Sequence, residues 1–298
     1  MSGAVGTAGV RAGDGGGVLG HAIGLARRSP TFVIGFAILA VFAALALLHP
    51  WLMPHDPVQA YPTEVLRAPN ARFWLGTDTN GMDILSRVIY GAIYAFAIAV
   101  PVVVIGLAIG VPIGLLTGYR GGWPDEIVMR FFDALRVFPS IILALAVVAA
   151  AGPSLINIVL VLGLLDSPVY ARVVRAEVLA LRGNSYIEAA VAAGNPTWRV
   201  LFVHLMPNAI QGAMAQGAVR AAWAVRISAT LAFLGVGIQP PTPEWGAMIR
   251  QGAEYMVTGQ WWVGIFPGAA LIVMVLGLNM LGDGLQDLLD PRRKAATR

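Results

Sequence analysis

The sequence predicts an all-α polytopic membrane protein with six transmembrane helices, and three observations predict it. Hydrophobic residues make up 57% of the 298 residues and charged residues 12%, against about 45–50% and about 25% in soluble domains. Mean hydropathy is +0.73. The few charges fall between uncharged runs long enough to cross a bilayer. A soluble enzyme this poor in charge could not cover its surface, and disorder requires low hydrophobicity. With no Cys, a disulfide-stapled secreted domain is excluded as well. The net charge of +4 does not indicate nucleic acid, because the basic residues are not gathered on one face.

Residues 1–30 are Gly/Ala-rich and read as a flexible cytoplasmic tail. Residues 31–49 carry no charge, and about 20 residues cross the hydrocarbon core, so this is the first span. It is too long, and ends in residues too bulky (Leu47, Leu48, Trp51), for a cleaved signal peptide. Residues 50–87 are Pro-rich and charged, an external loop. Residues 88–119 are uncharged with Pro101 and Pro112 inside, which reads as a tilted, kinked second span. The third, 126–151, starts on an amphipathic foot. Gly152-Pro153-Ser154 separates it from the fourth, 155–174. A cytoplasmic loop over 175–207 precedes the fifth, 208–236, and the sixth is 261–281. The six-span domain so defined covers 31–290, and 291–298 form a basic cytoplasmic tail.

Orientation follows from the excess of Lys and Arg on cytoplasmic segments. With the N-terminus inside, fourteen basic residues are cytoplasmic and four (Arg67, Arg72, Arg87, Arg250) external, so both termini are expected in the cytoplasm. Trp51, Trp74, Trp245, Trp261 and Trp262 then lie near the outer interface, where Trp is enriched.

The loop over 175–207 is the most informative stretch. Ser185 reads as the cap of a helix with Glu188 completing a capping box. Gly194, Asn195 and Pro196 read as its end, and a second short helix, Thr197 to Met206, as stopping at Pro207. Two short helices meeting at a Gly turn hold no catalytic set and suit docking into a partner's groove.

Glu188-Ala189-Ala190, Gly194 and Pro207 match the spacing of the EAA loop of ABC-importer permeases, with His204 and Met206 at its two other apolar positions. Trp74-Leu75-Gly76-Thr77-Asp78, Asp83 to Arg87, Phe233 to Gly237, Gln239 to Gly246, Phe266-Pro267-Gly268 and Asn279 to Pro291 resemble the C-type subunit of the dipeptide, oligopeptide and nickel branch. This resemblance implies a type I ABC importer permease fold in a bacterial inner membrane. It implies a heterodimer with a B-type permease, two ABC ATPase subunits that bind ATP and Mg, an extracytoplasmic substrate-binding protein, and a di- or oligopeptide substrate. It implies that Glu188, Ala189, Ala190 and Gly194 couple to the ATPase. A nickel or nickel-chelate substrate is the alternative within the branch. An ion-coupled secondary carrier is the alternative outside it, disfavoured because no internal repeat is visible.

Asp166, Arg220 and Arg226 stand inside expected spans, where a charge costs about 2.5–3.5 kcal/mol at a helix centre. Either an arginine meets the substrate carboxylate and Asp166 its ammonium, or Asp166 and an arginine form a structural pair. The branch commonly has an aromatic or small residue at the place of Asp166 and an acidic one at Ser228, so the chain departs from it here. Asp166 lacks the second acid that an intramembrane protease needs. Asp78, Asp83 and Arg87 are expected to form a local polar network. The proline-rich QPPTPEWG segment is expected to be stiff and to project Glu244 and Trp245, either for binding-protein docking or as a structural plug. The four His are dispersed, no Walker A sequence occurs, and the only Lys is Lys294. No catalytic residue, cofactor or metal is therefore assigned to this chain, and ATP hydrolysis by it is not expected.

Overall fold

The computed structural model describes residues 29–289. The two expected tails, 1–30 and 291–298, lie outside these residues apart from Ser29 and Pro30. The described chain is helical, with no strand in it beyond the isolated bridge Thr77–Asp83.

Helix α1 (Pro30–Leu47) begins where the Ser29 hydroxyl accepts the Phe32 N–H at 3.3 Å and Pro30 fills the first helical position, which needs no donor. The external-type loop then runs to Asp83, whose carboxylate caps α2 (Ile84–Arg120) by accepting the Ser86 N–H at 3.0 Å. The helix thus starts four residues before the uncharged run. Arg87 is tolerated in its first turn because it is buried against Asp78 (Nε–Oδ2 3.4 Å) and donates to the carbonyls of Pro57 (2.9 Å) and Pro241 (3.1 Å). At 37 residues and 1.5 Å per residue, α2 is about 55 Å long. It runs unbroken through Pro101 and Pro112.

The stretch expected as the third span, 126–151, is built of two helices, α3 (Gly122–Val137) and α4 (Ser140–Ala151), bent 86° from each other. The cause is Pro139: the residue before a proline is pushed from helical to extended backbone, and Phe138 adopts φ −81°, ψ 136°. The polar side of α3 is tied to α5 (Leu155–Leu181) by a bidentate Asp125–Arg175 pair, both contacts 2.6 Å, and by Asp133–Arg172 at 2.9 Å.

Helices α2 and α5 pack along most of their length. The reason is a glycine every fourth residue on α2, where a helix returns to nearly the same face. Gly106 faces Tyr170, Gly110 faces Ser167 and Tyr170, Gly114 faces Ala171 and Val174, and Gly118 faces Val178. Small residues at this spacing let two membrane helices approach to backbone contact. A Cβ on Gly110 would stand 2.6 Å from the Ser167 carbonyl oxygen and 2.9 Å from the Ala171 nitrogen, backbone atoms that cannot rotate aside. Gly110→Leu is therefore expected to lower the thermal midpoint of the solubilised protein, at the upper end of the ~1–3 kcal/mol typical of overpacking. Gly217→Ala, whose Cβ would meet only Val103 at 3.6 Å, is the matched control and is expected to change the midpoint little.

Helix α6 (Ser185–Ala192) follows α5. A helical turn at Thr197–Arg199 and a π-helical stretch at Val200–Leu205 then lead into α7 (Met206–Phe233). Helices α8 (Trp245–Met256) and α9 (Trp262–Leu289) complete the fold. Helix α9 packs on α1 through small residues; a Cβ on Gly35 would lie 2.8 Å from the Gly277 carbonyl. Helices α1, α2, α5 and α9 are long and apolar enough to cross a membrane, with a fifth crossing if the bent α3–α4 pair counts as one. Helix α7 has 28 residues but carries Asn208, Gln211, Gln216, Arg220 and Arg226, which take it out of that apolar set.

Candidate functional site

The parallel packing of α2 on α5 brings Arg120 and Leu181 to the end of the bundle opposite the Pro-rich loop, and α6 forms a knob there. The expected capping box at Ser185 is corrected: Asn184, in extended backbone (φ −77°, ψ 144°), occupies the cap position without a side-chain bond. Ser185 is the first helical residue, and Glu188 falls one position too far along to complete the box. The stop is as read. Gly194 takes φ +77°, a conformation glycine adopts without strain, and the Asn195 amide donates to the Ala190 carbonyl at 2.8 Å.

Ile187 packs in one core with Val200, Leu201 and Leu205, and Ala190 is buried too. Glu188, Ala189 and Gly194 are exposed, as is Trp198 at 62%. The expected helix end at Pro207 is also corrected. The chain continues from Thr197 through Phe233 with Pro207 in the first turn of α7. The π-helical turn makes this possible: the Met206 N–H reaches back five residues to the Leu201 carbonyl, and a proline in a helix's first turn needs no donor of its own.

In the middle of the bundle Asp166 and Arg220 meet. The guanidinium donates through Nε at 2.6 Å and through a second nitrogen to the same oxygen, Oδ1. Asp166 is fully buried, and its other oxygen, Oδ2, has no hydrogen-bond partner. Arg220 also lies over the Trp223 ring, 4.7 Å from its centroid. The geometry is that of the structural pair, and a substrate ammonium could reach Asp166 only if the pair opened. Arg226 points elsewhere: it is exposed and makes no ion pair among the described residues. Beside the pair, a cavity of about 260 Å³ is lined by Arg136, Ser140, Arg220 and Trp223 together with Phe138 and Leu165.

At the other end, the expectation that Glu244 and Trp245 project is corrected. They are 5% and 3% exposed. Glu244 caps α8 by accepting the Ala247 N–H at 2.9 Å. The Trp245 indole lies against Gly91, where a Cβ would collide with it, and donates to the Val88 carbonyl at 3.1 Å. A large amphipathic ring gains more by filling a glycine-lined recess than by standing in water, so these two side chains pack against the bundle instead of projecting from it. Of the network expected of Asp78, Asp83 and Arg87, the Asp78–Arg87 pair is present, and Arg87 also clamps this segment to α2 through the Pro241 carbonyl; the Asp83 carboxylate instead accepts the Ser86 hydroxyl at 2.6 Å.

Burial pushes the Glu244 carboxyl up to about 7 from its ordinary 4.5, against the opposing bonds from Ala247 and Gly246. A folded value above the unfolded one means that the stabilisation is complete below about 4.5 and is lost as pH rises through about 7. Relative to Glu244→Gln, the wild-type thermal midpoint is thus expected to fall across that window, by an amount worth about 3 kcal/mol between the extremes. Parallel curves for the two proteins in a pH series of thermal scans would count against this.

Sequence reasoning missed the glycine stripe, although its four-residue spacing was in plain view, and missed Arg136, which only the bend at Pro139 brings near Arg220. No group of three or more His, Asp or Glu that could hold a metal occurs among the described residues.

The family described as the binding-protein-dependent transport system inner membrane component matches residues 110–295, and the N-terminal TM domain of oligopeptide transport permease C matches residues 26–69. The dipeptide transport system permease protein DppC of Alkalihalophilus pseudofirmus is 37% identical, over 90% of this chain and 88% of its own length. The di/tripeptide transport system permease protein DppC of Pseudomonas aeruginosa is 40% identical over 88% and 87%. The glutathione transport system permease protein GsiD of Pectobacterium atrosepticum is 40% identical over 90% and 89%. The helical fold, the apolar helices and these matches agree: the chain belongs to the family of binding-protein-dependent transport system inner membrane components and is a C-type permease with the ABC importer fold.

Proposed function

We propose that this chain is the C-type permease of an ATP-driven importer of di- and oligopeptides. It spans the membrane six times with both termini in the cytoplasm, α7 being the span that its arginines disguise. It pairs with a B-type permease, two ATPase subunits that bind ATP and Mg, and an extracytoplasmic binding protein. The observation that carries this reading is the exposed knob of Glu188, Ala189 and Gly194 at the spacing of the EAA loop, on a chain whose relatives are named for dipeptide, tripeptide and glutathione transport.

The fold supplies a lever for it. Ile187 roots the knob in the core formed by α2, α5 and the start of α7, and α5 is locked to α2 at backbone distance by the glycine stripe. A push on α6 from a closing ATPase dimer therefore moves α2, α5 and α7 together rather than bending a loop. The Asp166–Arg220 pair holds α5 and α7 in one register during that movement. Asp125–Arg175 and Asp133–Arg172 carry α3 along.

The test is ATP hydrolysis and uptake by the reconstituted complex with its partner subunits in lipid. Binding protein loaded with a dipeptide mixture is expected to stimulate both, whereas binding protein with Ni²⁺ is not. Stimulation by Ni²⁺ alone would replace the peptide reading with the metal one.

A further inference from the structure

The geometry points to a carboxylate-binding subsite in this chain, at the elbow between α3 and α4, that receives the C-terminal carboxylate of a peptide in transit. The inference rests on the peptide-importer reading above and assigns a ligand group to a place within it. Four features converge on the cavity of about 260 Å³. Arg220 is part of its lining, while its charge is matched by Asp166. Arg136 lines the same cavity, is exposed, and makes no ion pair among the described residues, so the cavity keeps one uncompensated positive charge. Ser140 brings a hydroxyl and opens α4, a helix of 12 residues whose first N–H groups receive no side-chain cap. The partial positive charge of such a helix start favours an anion. Phe138, Leu165 and Trp223 make up apolar wall, which lowers the local dielectric and strengthens a guanidinium–carboxylate contact.

The elbow lies at the middle of the bundle rather than at either end. Leu165 is near the centre of α5 and Arg220 near the centre of α7. A carboxylate passing along this face would meet Arg136 first, because it is the more exposed of the two, and would not need to separate Arg220 from Asp166. The chemistry suits an anion with planar oxygens. It disfavours a bare divalent cation, which two guanidinium groups would repel. A lipid phosphate shares this chemistry, and the experiment separates the two sources.

The test uses the full reconstituted complex and reads dipeptide uptake per ATP hydrolysed in wild type, Arg136→Gln and Arg136→Lys. Loss of a charge-assisted hydrogen bond at the subsite is expected to lower that ratio about tenfold in Arg136→Gln and by less than about threefold in Arg136→Lys, which keeps the charge. Wild-type behaviour of Arg136→Gln overturns the inference, as does an equal loss in both variants or failure of Arg136→Gln to assemble, since either marks Arg136 as structural. A deficit that disappears in vesicles made without anionic lipid also overturns it, by identifying the occupant as a headgroup. If wild type itself gives no peptide uptake with loaded binding protein, the importer reading fails, and that result is distinct from all of these.

Discussion

Glu188→Lys is expected to abolish transport while leaving the permease folded. Glu188 is exposed on α6 and takes no part in an ion pair among the described residues, and it is Ile187 and Ala190, on the other face, that anchor the helix. Reversing its charge costs the fold only the favourable place of a carboxylate in the first turn of α6, about 0.3–1 kcal/mol. On the proposed coupling, however, it sits at the centre of the contact with the ATPase. A central contact residue is worth about 2 kcal/mol or more, and a charge of the wrong sign adds repulsion. The expected result is at least about a thirtyfold weaker association with the ATPase subunits and no measurable peptide uptake, with a thermal midpoint little changed. Co-purification of the complex and an uptake assay read the two quantities. Wild-type values in both would remove Glu188 from the coupling contact.

The second large effect is expected at Asp166. Asp166→Ala leaves the Arg220 guanidinium in the bundle with the Trp223 ring as its remaining neighbour of opposite character. Removing one partner of a buried pair costs about 3–5 kcal/mol, whereas replacing both by apolar residues of similar size is close to neutral. Asp166→Ala is therefore expected to deplete the folded, assembled permease severely. The double replacement Asp166→Leu with Arg220→Met is expected to recover most of the wild-type yield and thermal midpoint. A single variant as stable as wild type would show that the pair does not hold α5 to α7. A double variant as poor as the single one would show that the charges do more than neutralise each other. If the double variant assembles but moves peptide poorly, Arg220 serves the carboxylate subsite in addition to the pair.

Much of the helical frame was legible because it depends on local properties. Absence of charge over 31–49 and 155–165 marks apolar helices wherever the chain goes, and α1 and α5 begin at Ser29 and Ser154, whose hydroxyls accept the Phe32 and Asn157 N–H groups. The knob was legible for a similar reason. Gly194 needs a positive φ, and Asn195 and Pro196 terminate a helix by their own covalent structure. The boundaries that failed are those where a distant partner altered the local rule. Arg87 looked like the end of a loop, yet Asp78 and the carbonyls of Pro57 and Pro241 let it start a helix. Trp245 looked like a surface anchor, yet Gly91 supplies a recess for it. Pro207 looked like a stop, yet a π-helical turn absorbs it.

The sequence by itself determined the fold class, the apolar helices and the family, because hydropathy, helix punctuation and motif spacing are carried by neighbouring residues. Tertiary structure alone decided which arginine met Asp166. Arg220 and Arg226 are equivalent in composition and lie on the same helix, but they are 120° apart around it. Only the way α7 packs on α5, across 54 residues of chain, turns Arg220 inward and leaves Arg226 exposed. The same packing, with the bend at Pro139, places Arg136 beside Arg220. A one-dimensional pattern holds no record of that proximity, because it depends on the bend at Pro139 and on how α7 packs against α5.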